Sequence, residues 1–287
     1  MKFSIVTPCF NSENTIRNTI ESVIYQEGNF EIEYIIIDGK SNDNTYKIVK
    51  EYEDKILKQD TFKCNNITFK SISEKDNGMY CALSKGLKMC TGDIVAYINS
   101  DDKYLNGTFN LIKNIFEKFQ VVKWLTSQPL IVNEENYCID YKKVFGFKKN
   151  LIKKGRYGTI LDFIMQEGTF WRKELNKKID YGYLEQCKLA GDYYIWKCFS
   201  EYEELFLLNS FCSSFTKRKG QLSEQKEKYI SELKNIADKC NIIDFIQAIY
   251  YRCIQIVCAG IPFKISVKIA HNIIFYNEII EEWVIKS

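Results

Sequence analysis

The sequence predicts an α/β fold in which a mostly parallel central sheet is covered by helices on both faces. Short, continuous apolar runs alternate with helical patterns through residues 1–102. Strands that are apolar throughout are typical of parallel sheets whose two faces are both buried. The chain has 287 residues, of which 46% are hydrophobic, and this is enough apolar material for a large core.

The first part of the chain is expected to contain four strands and three helices. The strands are predicted at residues 3–7, 34–37, 67–72 and 94–98. Apolar side chains at helical spacing predict helices at residues 16–24, 43–53 and 79–87. Ser12 lies shortly before the first helix and is predicted to cap it.

Acidic side chains follow three of these strands. Asp38 ends the second strand, Asp76 follows the third, and Asp101 and Asp102 follow the fourth. Ligands of open α/β sheets bind beyond the carboxyl ends of the strands, so these carboxylates are expected at one binding edge. Solvated turns would also be polar at these positions, and the pattern alone leaves that alternative open.

The remainder of the chain is less regular. The predicted elements are a helix at 107–118, strands near 120–126, 129–132, 206–208 and 211–215, and a helix that opens within 189–196. Residues 143–160 are loop-rich, and no motif identifies a role for residues 134–160. After residue 222 we expect a charged helix at 223–239, an amphipathic helix at 242–263 and a further helix to about residue 284.

Composition excludes several classes of protein. With 40 Lys and Arg against 37 Asp and Glu, the net charge of +3 does not predict a nucleic-acid partner. His271 is the single histidine, which excludes a zinc site built from histidines. The eleven cysteines form no CxxC pair and indicate reduced thiols in a cytoplasmic protein. No signal peptide and no uninterrupted membrane-spanning run is recognised.

The Asp101–Asp102 pair is the first candidate for chemistry. Two adjacent carboxylates at the end of a buried strand can hold a hard divalent ion and leave positions for diphosphate oxygens. The ion would neutralise the charge that develops on a leaving diphosphate. An ordinary acidic turn is the alternative interpretation of the pair.

Several short motifs in order resemble glycosyltransferase family 2, the inverting nucleotide-sugar transferases with the GT-A fold. The matching segments are Val6–Asn11, Ile36–Asp43, Ser73–Tyr80, Thr91–Asp93, Asn99–Asp102, Gln166–Arg172, Ala190–Tyr193 and Gly220–Ser223. The resemblance is strongest to bacterial enzymes that build O-antigen, capsule or related surface polysaccharides. It implies a GT-A catalytic domain at 1–222, with a nucleotide-sugar half at 1–102 and an acceptor half at 103–222. Residues 223–287 would form a C-terminal helical extension.

The resemblance also implies roles for individual residues. Asp192 would be the general base, and Glu167 and Trp171 would contact the acceptor. Asp101 and Asp102 would hold Mn²⁺ or Mg²⁺, with Asp102 as the more direct ligand. The residues expected to bind the donor are Thr7, Pro8, Asn11, Asp38, Lys75, Asp76, Asp101, Lys217 and Arg218. The last two stand where many relatives carry a histidine, and they are expected to hold the diphosphate.

Structural interpretations stay open for some of these residues. Pro8 could simply end a strand, and Asp38 could merely cap or form a turn. Lys75 could be a solvated charge, and Trp171 could be a core side chain. Asp192 could cap a helix.

The expected reaction moves a sugar, UDP-linked by preference, to a hydroxyl of a glycan or lipid-linked saccharide. An inactive nucleotide-sugar-binding homologue and a nucleotidyltransferase are the alternatives. The nucleotidyltransferase usually has a Gly-rich, basic N-terminal loop, which Pro8–Ser12 is not.

The helix predicted at 242–263, with Lys264 and Lys268 after it, allows three interpretations. In the preferred one, its apolar stripe packs on the catalytic domain. In the second, it lies on the inner face of the cell membrane, which would suit an acceptor carried on a polyprenyl lipid. The third is a homodimer contact through this helix.

Overall fold

A nine-stranded sheet passes through the centre of the molecule in the computed structural model. The structure describes residues 1–58, 62–267 and 270–286. Of the two lysines predicted to follow the C-terminal helix, Lys268 lies outside the described residues, and so does the side chain of Lys264.

The described residues form thirteen strands and ten α-helices. The strands are β1 (Lys2–Cys9), β2 (Glu31–Asp38), β3 (Asn66–Ser73), β4 (Ile94–Tyr97), β5 (Lys103–Tyr104), β6 (Trp124–Ser127), β7 (Leu130–Val132), β8 (Cys138–Tyr141), β9 (Thr169–Arg172), β10 (Leu205–Leu208), β11 (Ser213–Thr216), β12 (Ile273–Asn277) and β13 (Glu282–Lys286). The helices are α1 (Ile16–Ile24), α2 (Thr45–Leu57), α3 (Met79–Met89), α4 (Thr108–Lys118), α5 (Lys149–Lys153), α6 (Tyr181–Leu184), α7 (Gly191–Ser200), α8 (Lys226–Ile236), α9 (Ile242–Ala259) and α10 (Phe263–Ser266).

The large sheet has the order β13-β12-β10-β6-β9-β4-β1-β2-β3. The four strands that come first in the chain are parallel neighbours, as predicted. β9 is antiparallel to β4 and β6, while β10 and β12 run parallel to β6. A smaller sheet has the order β5-β11-β7-β8. The carboxyl ends of β1, β2, β3 and β4 therefore open on one edge, where the sequence predicts a binding site.

The core lies on both faces of the large sheet. Along β2, Ile35 and Ile37 face a cluster that includes α3 and α7, whereas Ile32, Tyr34 and Ile36 face a cluster that includes α1, α2 and α4. This strict alternation follows from the two-residue period of a strand. All five side chains are fully buried, and burial of each stabilises the fold by about 1.5–3 kcal/mol.

One local prediction is wrong, and one predicted strand starts later than expected. Ser12 does not cap α1, whose N-cap is Thr15 without a side-chain bond. The Ser12 hydroxyl instead lies 2.7 Å from that of Ser100, so it joins the loops after β1 and β4. The strand predicted near 120–126 begins only at Trp124.

The largest difference from the prediction lies at the end of the chain. No helix runs to residue 284; β12 and β13 form a hairpin there, and β12 pairs with β10. Ile273 and Ile274 are fully buried beside Leu207 and Leu208, and Asn272 has a φ of 48° that a helix does not allow. The extension after residue 222 is thus helical in its first part and returns to the central sheet in its last.

Candidate active site

The loops after β1 and β2 are tied to each other at the carboxyl edge of the sheet. Asn11 has a left-handed φ of 48°, a conformation that asparagine tolerates better than most residues. Its backbone N–H donates to Ser41 Oγ at 2.8 Å, and its Oδ1 accepts from the backbone N–H of Asn42 at 2.9 Å. The side chain of Asn11 is exposed, so this predicted donor-binding residue lies on a fixed and accessible rim.

Asp38 and Thr7 lie beneath that rim rather than on it. Asp38 has no exposed surface, and its carboxylate accepts bonds from Ser41 and Ser73. Thr7 is equally buried and its hydroxyl lies 3.0 Å from that of Tyr34. Both side chains are thus buried and bonded within the chain, and the roles of Asp38 and Thr7 in nucleotide binding stay predictions.

Pro8 is also buried, as expected if it is simply a residue at the end of a strand. Asp76 lies on the neighbouring loop and accepts a bond from the backbone N–H of Gly78 at 3.0 Å. A Cβ atom at Gly39 would come within 3.0 Å of Asp76 Oδ2, so the glycine lets the two loops approach. Lys75 is exposed beside them. Of the predicted donor residues at this rim, Asn11, Lys75 and Asp76 have accessible surface.

The two carboxylates after β4 have different environments. Asp102 has no exposed surface, and its Oδ1 accepts from the backbone N–H of Thr216 at 2.9 Å. Burial raises the pKa of Asp102 well above its usual range, and the charges of Asp101 and Glu167 add to the effect. Asp101 keeps 13% of its side chain exposed. The accessibility of the pair therefore favours Asp101 as the group that a ligand reaches.

Asp101 is held by the loop that follows β11. Its Oδ2 accepts from Nε and Nη2 of Arg218, each at 2.9 Å, and from Nε2 of Gln221 at 3.1 Å. The predicted basic loop thus reaches the acidic pair through Arg218. Lys217 is exposed, and its backbone N–H donates to Val132. The sequence motif contains Gln221, but its contact with Asp101 was not foreseen.

Asp192 lies in the first turn of α7, and Ala190 occupies the N-cap, so the cap interpretation of Asp192 is wrong. Its Oδ1 accepts from the backbone N–H of Tyr193 at 2.7 Å and from the hydroxyls of Tyr229 at 3.1 Å and Tyr80 at 3.5 Å. Burial raises the pKa of Asp192 to about 6, although these hydrogen bonds oppose the rise. The carboxylate is therefore a base whose protonation changes near neutral pH.

Gly191 allows the side chain of Tyr80 to approach Asp192. A Cβ atom at residue 191 would lie 2.5 Å from the Tyr80 ring, so only glycine allows the ring to pack on the start of α7.

Glu167 joins the two acidic groups. It is 3% exposed, and burial raises its pKa to about 7. The charges of Asp101 and Asp192 contribute to this rise. The convergence of the three acids that the motifs predict stays a prediction.

Trp171 does not belong to this space. It is fully buried on β9, its Nε1 donates to Asn176 Oδ1 at 2.7 Å, and its ring packs edge-on against Trp196. The predicted acceptor contact of Trp171 is wrong, because the side chain lies in the core and has no accessible surface. The core alternative is confirmed.

Sequence reasoning missed three tyrosines of the site. The hydroxyl of Tyr97 is buried and has no hydrogen-bond partner among the described residues; burial raises its pKa, and the charges of Asp192 and Glu167 contribute. Tyr80 and Tyr229 donate to Asp192. Tyr80 lies within a recognised motif, whereas Tyr229 belongs to the charged helix α8, where nothing in the sequence marks it.

Comparisons with known proteins identify relatives of this chain. The minor teichoic acid biosynthesis protein GgaB of Bacillus subtilis is 32% identical over 199 residues, which cover 66% of this chain and 20% of GgaB. The poly(ribitol-phosphate) beta-N-acetylglucosaminyltransferase TarP of Staphylococcus aureus is 27% identical over 184 residues, or 54% of this chain and 51% of TarP. The chain thus spans about a fifth and about half of these relatives.

The fold has solved counterparts. A crystal structure of S. aureus TarS residues 1–349 in complex with UDP-GlcNAc superposes with a TM-score of 0.54 at 17% identity, and covers 93% of this chain and 69% of that one. This similarity confirms the GT-A fold. The family model described as "Glycosyl transferase family 2" matches residues 4–177. That match covers more than half of the sequence, and the chain therefore belongs to glycosyltransferase family 2.

Proposed function

We propose that this protein transfers a sugar from a UDP-sugar to a hydroxyl group of a bacterial surface glycopolymer, with inversion at the anomeric carbon. The observations that carry the proposal are the ion pair between Arg218 and Asp101 at the end of β4 and the Asp192 carboxylate that accepts from Tyr229 in the first turn of α7. Asp101 and Arg218 offer a side that can bind a diphosphate, and Asp192 offers a carboxylate that can accept a proton. TarS binds UDP-GlcNAc, and GgaB and TarP are named for teichoic acid and poly(ribitol-phosphate), which supports a UDP-sugar donor and a polymer of that class as the acceptor.

Asp192 acts as the general base. A sugar or polyol hydroxyl is a poor nucleophile, and Asp192 takes its proton while the oxygen attacks the anomeric carbon. The new C–O bond forms on the face opposite the diphosphate, and the old C–O bond breaks with its electron pair leaving on the diphosphate. Because the pKa of Asp192 is about 6, most of the carboxylate is ionised at pH 7 and still basic enough to accept a proton.

Arg218 neutralises the leaving diphosphate. It already approaches the acidic pair at Asp101, and its planar guanidinium suits two phosphate oxygens at once. Gln221, which also donates to Asp101, holds the loop in place.

The residues present fit a divalent ion whose coordination shell is completed by oxygens of the nucleotide-sugar donor. Asp101 supplies an accessible carboxylate, and the buried Oδ1 of Asn99 has no hydrogen-bond partner. Among the described residues no group of three His, Cys, Asp or Glu side chains could enclose an ion, so diphosphate oxygens would be needed as ligands. We propose that Asp101, with Asp102 behind it, holds Mn²⁺ or Mg²⁺, which would supply charge stabilisation to the leaving group.

A thermal-shift panel of UDP, GDP, dTDP and CDP, with and without Mn²⁺, tests the donor site. We expect UDP to stabilise the protein most, with a larger shift when Mn²⁺ is present. Asp101→Asn should reduce the UDP shift. The control Asp180→Asn should not, because Asp180 accepts from the backbone N–H groups of Gly182 and Tyr183 at the start of α6.

Release of UDP from UDP-GlcNAc and other UDP-sugars, measured with and without a teichoic acid acceptor, then tests the reaction. Failure of all four nucleotides to stabilise the protein would contradict the donor proposal. Binding of UDP without any turnover of UDP-sugars would instead indicate the inactive homologue.

A further inference from the structure

Helix α9 presents its apolar side to the outside of the molecule. Asp244, Ala248 and Cys258 are its buried residues. The large apolar side chains between 42% and 70% exposed are Ile242, Ile243, Phe245, Ile246, Ile249, Tyr250, Ile256 and Val257. The preferred prediction, that the apolar stripe packs on the catalytic domain, is therefore wrong. Within the described residues, α9 is also the one helix long and apolar enough to cross a membrane.

Specific polar contacts fix this orientation. Asn241 and Asp244 form a reciprocal capping box at the start of α9, and Asn150 donates to Asp244 Oδ1 at 3.1 Å. Arg252 donates to Asp162 at 2.9 Å from the same side of the helix. The polar stripe of the helix is thus bonded to the protein, and the large apolar side chains on the opposite side stay exposed. A continuous exposed apolar surface of this kind marks an interaction site.

A strongly basic stretch borders this surface. Residues 142–156, here called the basic segment, contain seven Lys and Arg and no Asp or Glu, although the whole chain carries a net charge of only +3. Within the part of the chain that the structure describes, ion pairs join two of the seven to carboxylates: Lys142 to Asp162 and Lys153 to Glu201. The basic segment therefore keeps most of its positive charge.

The basic segment and α9 are in direct contact. The ammonium group of Lys148 lies 5.5 Å from the ring centre of Tyr251, and the guanidinium of Arg156 lies 5.9 Å from that of Phe245. Lys143 donates to the backbone carbonyl of Ile261, just beyond the end of α9, at 2.9 Å. Cations of the basic segment thus lie next to the helix whose large apolar side chains are exposed.

We propose that this surface docks on an anionic lipid bilayer, with α9 lying in the interface and the basic segment against the acidic headgroups. Amphipathic helices bind membranes by apolar burial together with attraction between basic residues and anionic lipids. A second copy fits less well, because a symmetric contact through α9 would bring two basic segments toward each other. A spanning helix would have to break the bonds of Asp244 and Arg252 to the protein body.

Co-sedimentation of the purified protein with lipid vesicles tests the proposal without any substrate. We expect binding to vesicles of phosphatidylcholine and phosphatidylglycerol mixed two to one, weak binding to pure phosphatidylcholine, and release by high salt. The double variant Ile246→Glu/Ile256→Glu should lower the vesicle affinity at least tenfold. Leu57→Glu is the matched control, because Leu57 is 75% exposed on α2.

A second pair of variants tests how much the charge of the basic segment contributes to vesicle binding. Lys148→Gln/Lys149→Gln should lower the affinity for the anionic vesicles about 25-fold, since each lysine near such a surface contributes about fivefold. Lys47→Gln/Lys58→Gln, at exposed positions on and beside α2, is the control and should bind as the wild type does.

The vesicle proposal is overturned if the wild type does not sediment with anionic vesicles, or if it binds neutral and anionic vesicles equally. It is also overturned if light scattering shows a dimer that Ile246→Glu/Ile256→Glu dissociates, since a second copy would then cover α9. Circular dichroism of each variant separates loss of binding from loss of folding.

Discussion

Two buried glutamates at different places in the molecule have opposite acidities. Glu33 on β2 is 1% exposed and Glu167 before β9 is 3% exposed. Burial opposes the ionisation of Glu33, yet hydrogen bonds from Lys70, Ser4 and Thr91 outweigh it and lower its pKa to about 2. Burial and the neighbouring acids raise the pKa of Glu167 to about 7.

The difference shows that burial alone does not identify a functional carboxylate. What distinguishes the two is the set of donors that the chain supplies. Glu33 lies in a network that satisfies its charge and ties β2 to the turn before β4, so it stabilises the fold. Glu167 instead lies near the charges of Asp101 and Asp192, as expected where the compensating positive charge arrives with a substrate or an ion.

The largest expected effect is on sugar transfer, at the candidate active site. Asp192→Asn removes the base but keeps the shape of the side chain, and we expect transfer to fall by about 10²–10⁴-fold. The thermal shift with UDP should stay unchanged, because the base contacts the acceptor rather than the nucleotide. Sugar transfer measured beside UDP binding checks this, and near-normal turnover would refute the assignment of the base.

The second effect concerns stability rather than turnover. Glu33→Gln should lower the free energy of unfolding by about 3 kcal/mol, because the hydrogen bonds to a charged group are lost. The pKa of Glu33 is lowered from 4.5 to about 2, so its contribution is complete above pH 4.5 and disappears as the pH falls toward 2. Urea unfolding at pH 7 and pH 3 checks both statements. A loss of turnover at full folding would contradict the structural role.

The smallest expected effect is a shift in the pH dependence of turnover, and it tests the role of Tyr229 beside Asp192. In the wild type, kcat/KM should fall about tenfold per pH unit below pH 6, because protonated Asp192 is not a base. Tyr229→Phe removes a donor that favours the ionised carboxylate, so this decline should begin up to about one unit higher. Tyr183→Phe, at a 40% exposed tyrosine, is the control. Identical pH profiles for Tyr229→Phe and the wild type would show that this hydroxyl does not tune the base.

The sequence predicts the first four parallel strands, and it predicts the carboxylates at their ends, because apolar periodicity and the geometry of parallel sheets determine both. The motifs also predict a common site for Asp101, Glu167 and Asp192, and the charges of both aspartates contribute to the raised pKa of Glu167. The different environments of Asp38 and Asp101 were not predictable. Both are aspartates at strand ends, and the sequence does not show that Ser41 and Ser73 bond to Asp38 or that Arg218 pairs with Asp101.

The C-terminal part was the least predictable for a similar reason. An apolar stripe at helical spacing predicts a helix, and α9 forms, but the spacing does not say which side meets the protein. The polar partners of α9, Asn150 and Asp162, are far from it in the sequence. Tyr229 was missed because its partner, Asp192, is likewise distant in the chain.

The return of the chain at β12 has a consequence for how the molecule is made. β10 ends at Leu208 and its neighbour β12 begins at Ile273, so the segment that carries α8, α9 and α10 is a long loop closed at both ends by one sheet. During synthesis the edge of β10 stays unpaired until the hairpin emerges, and by then the apolar side of α9 has already left the ribosome. The order of translation therefore creates an interval in which both a free strand edge and an apolar helix face need protection from aggregation.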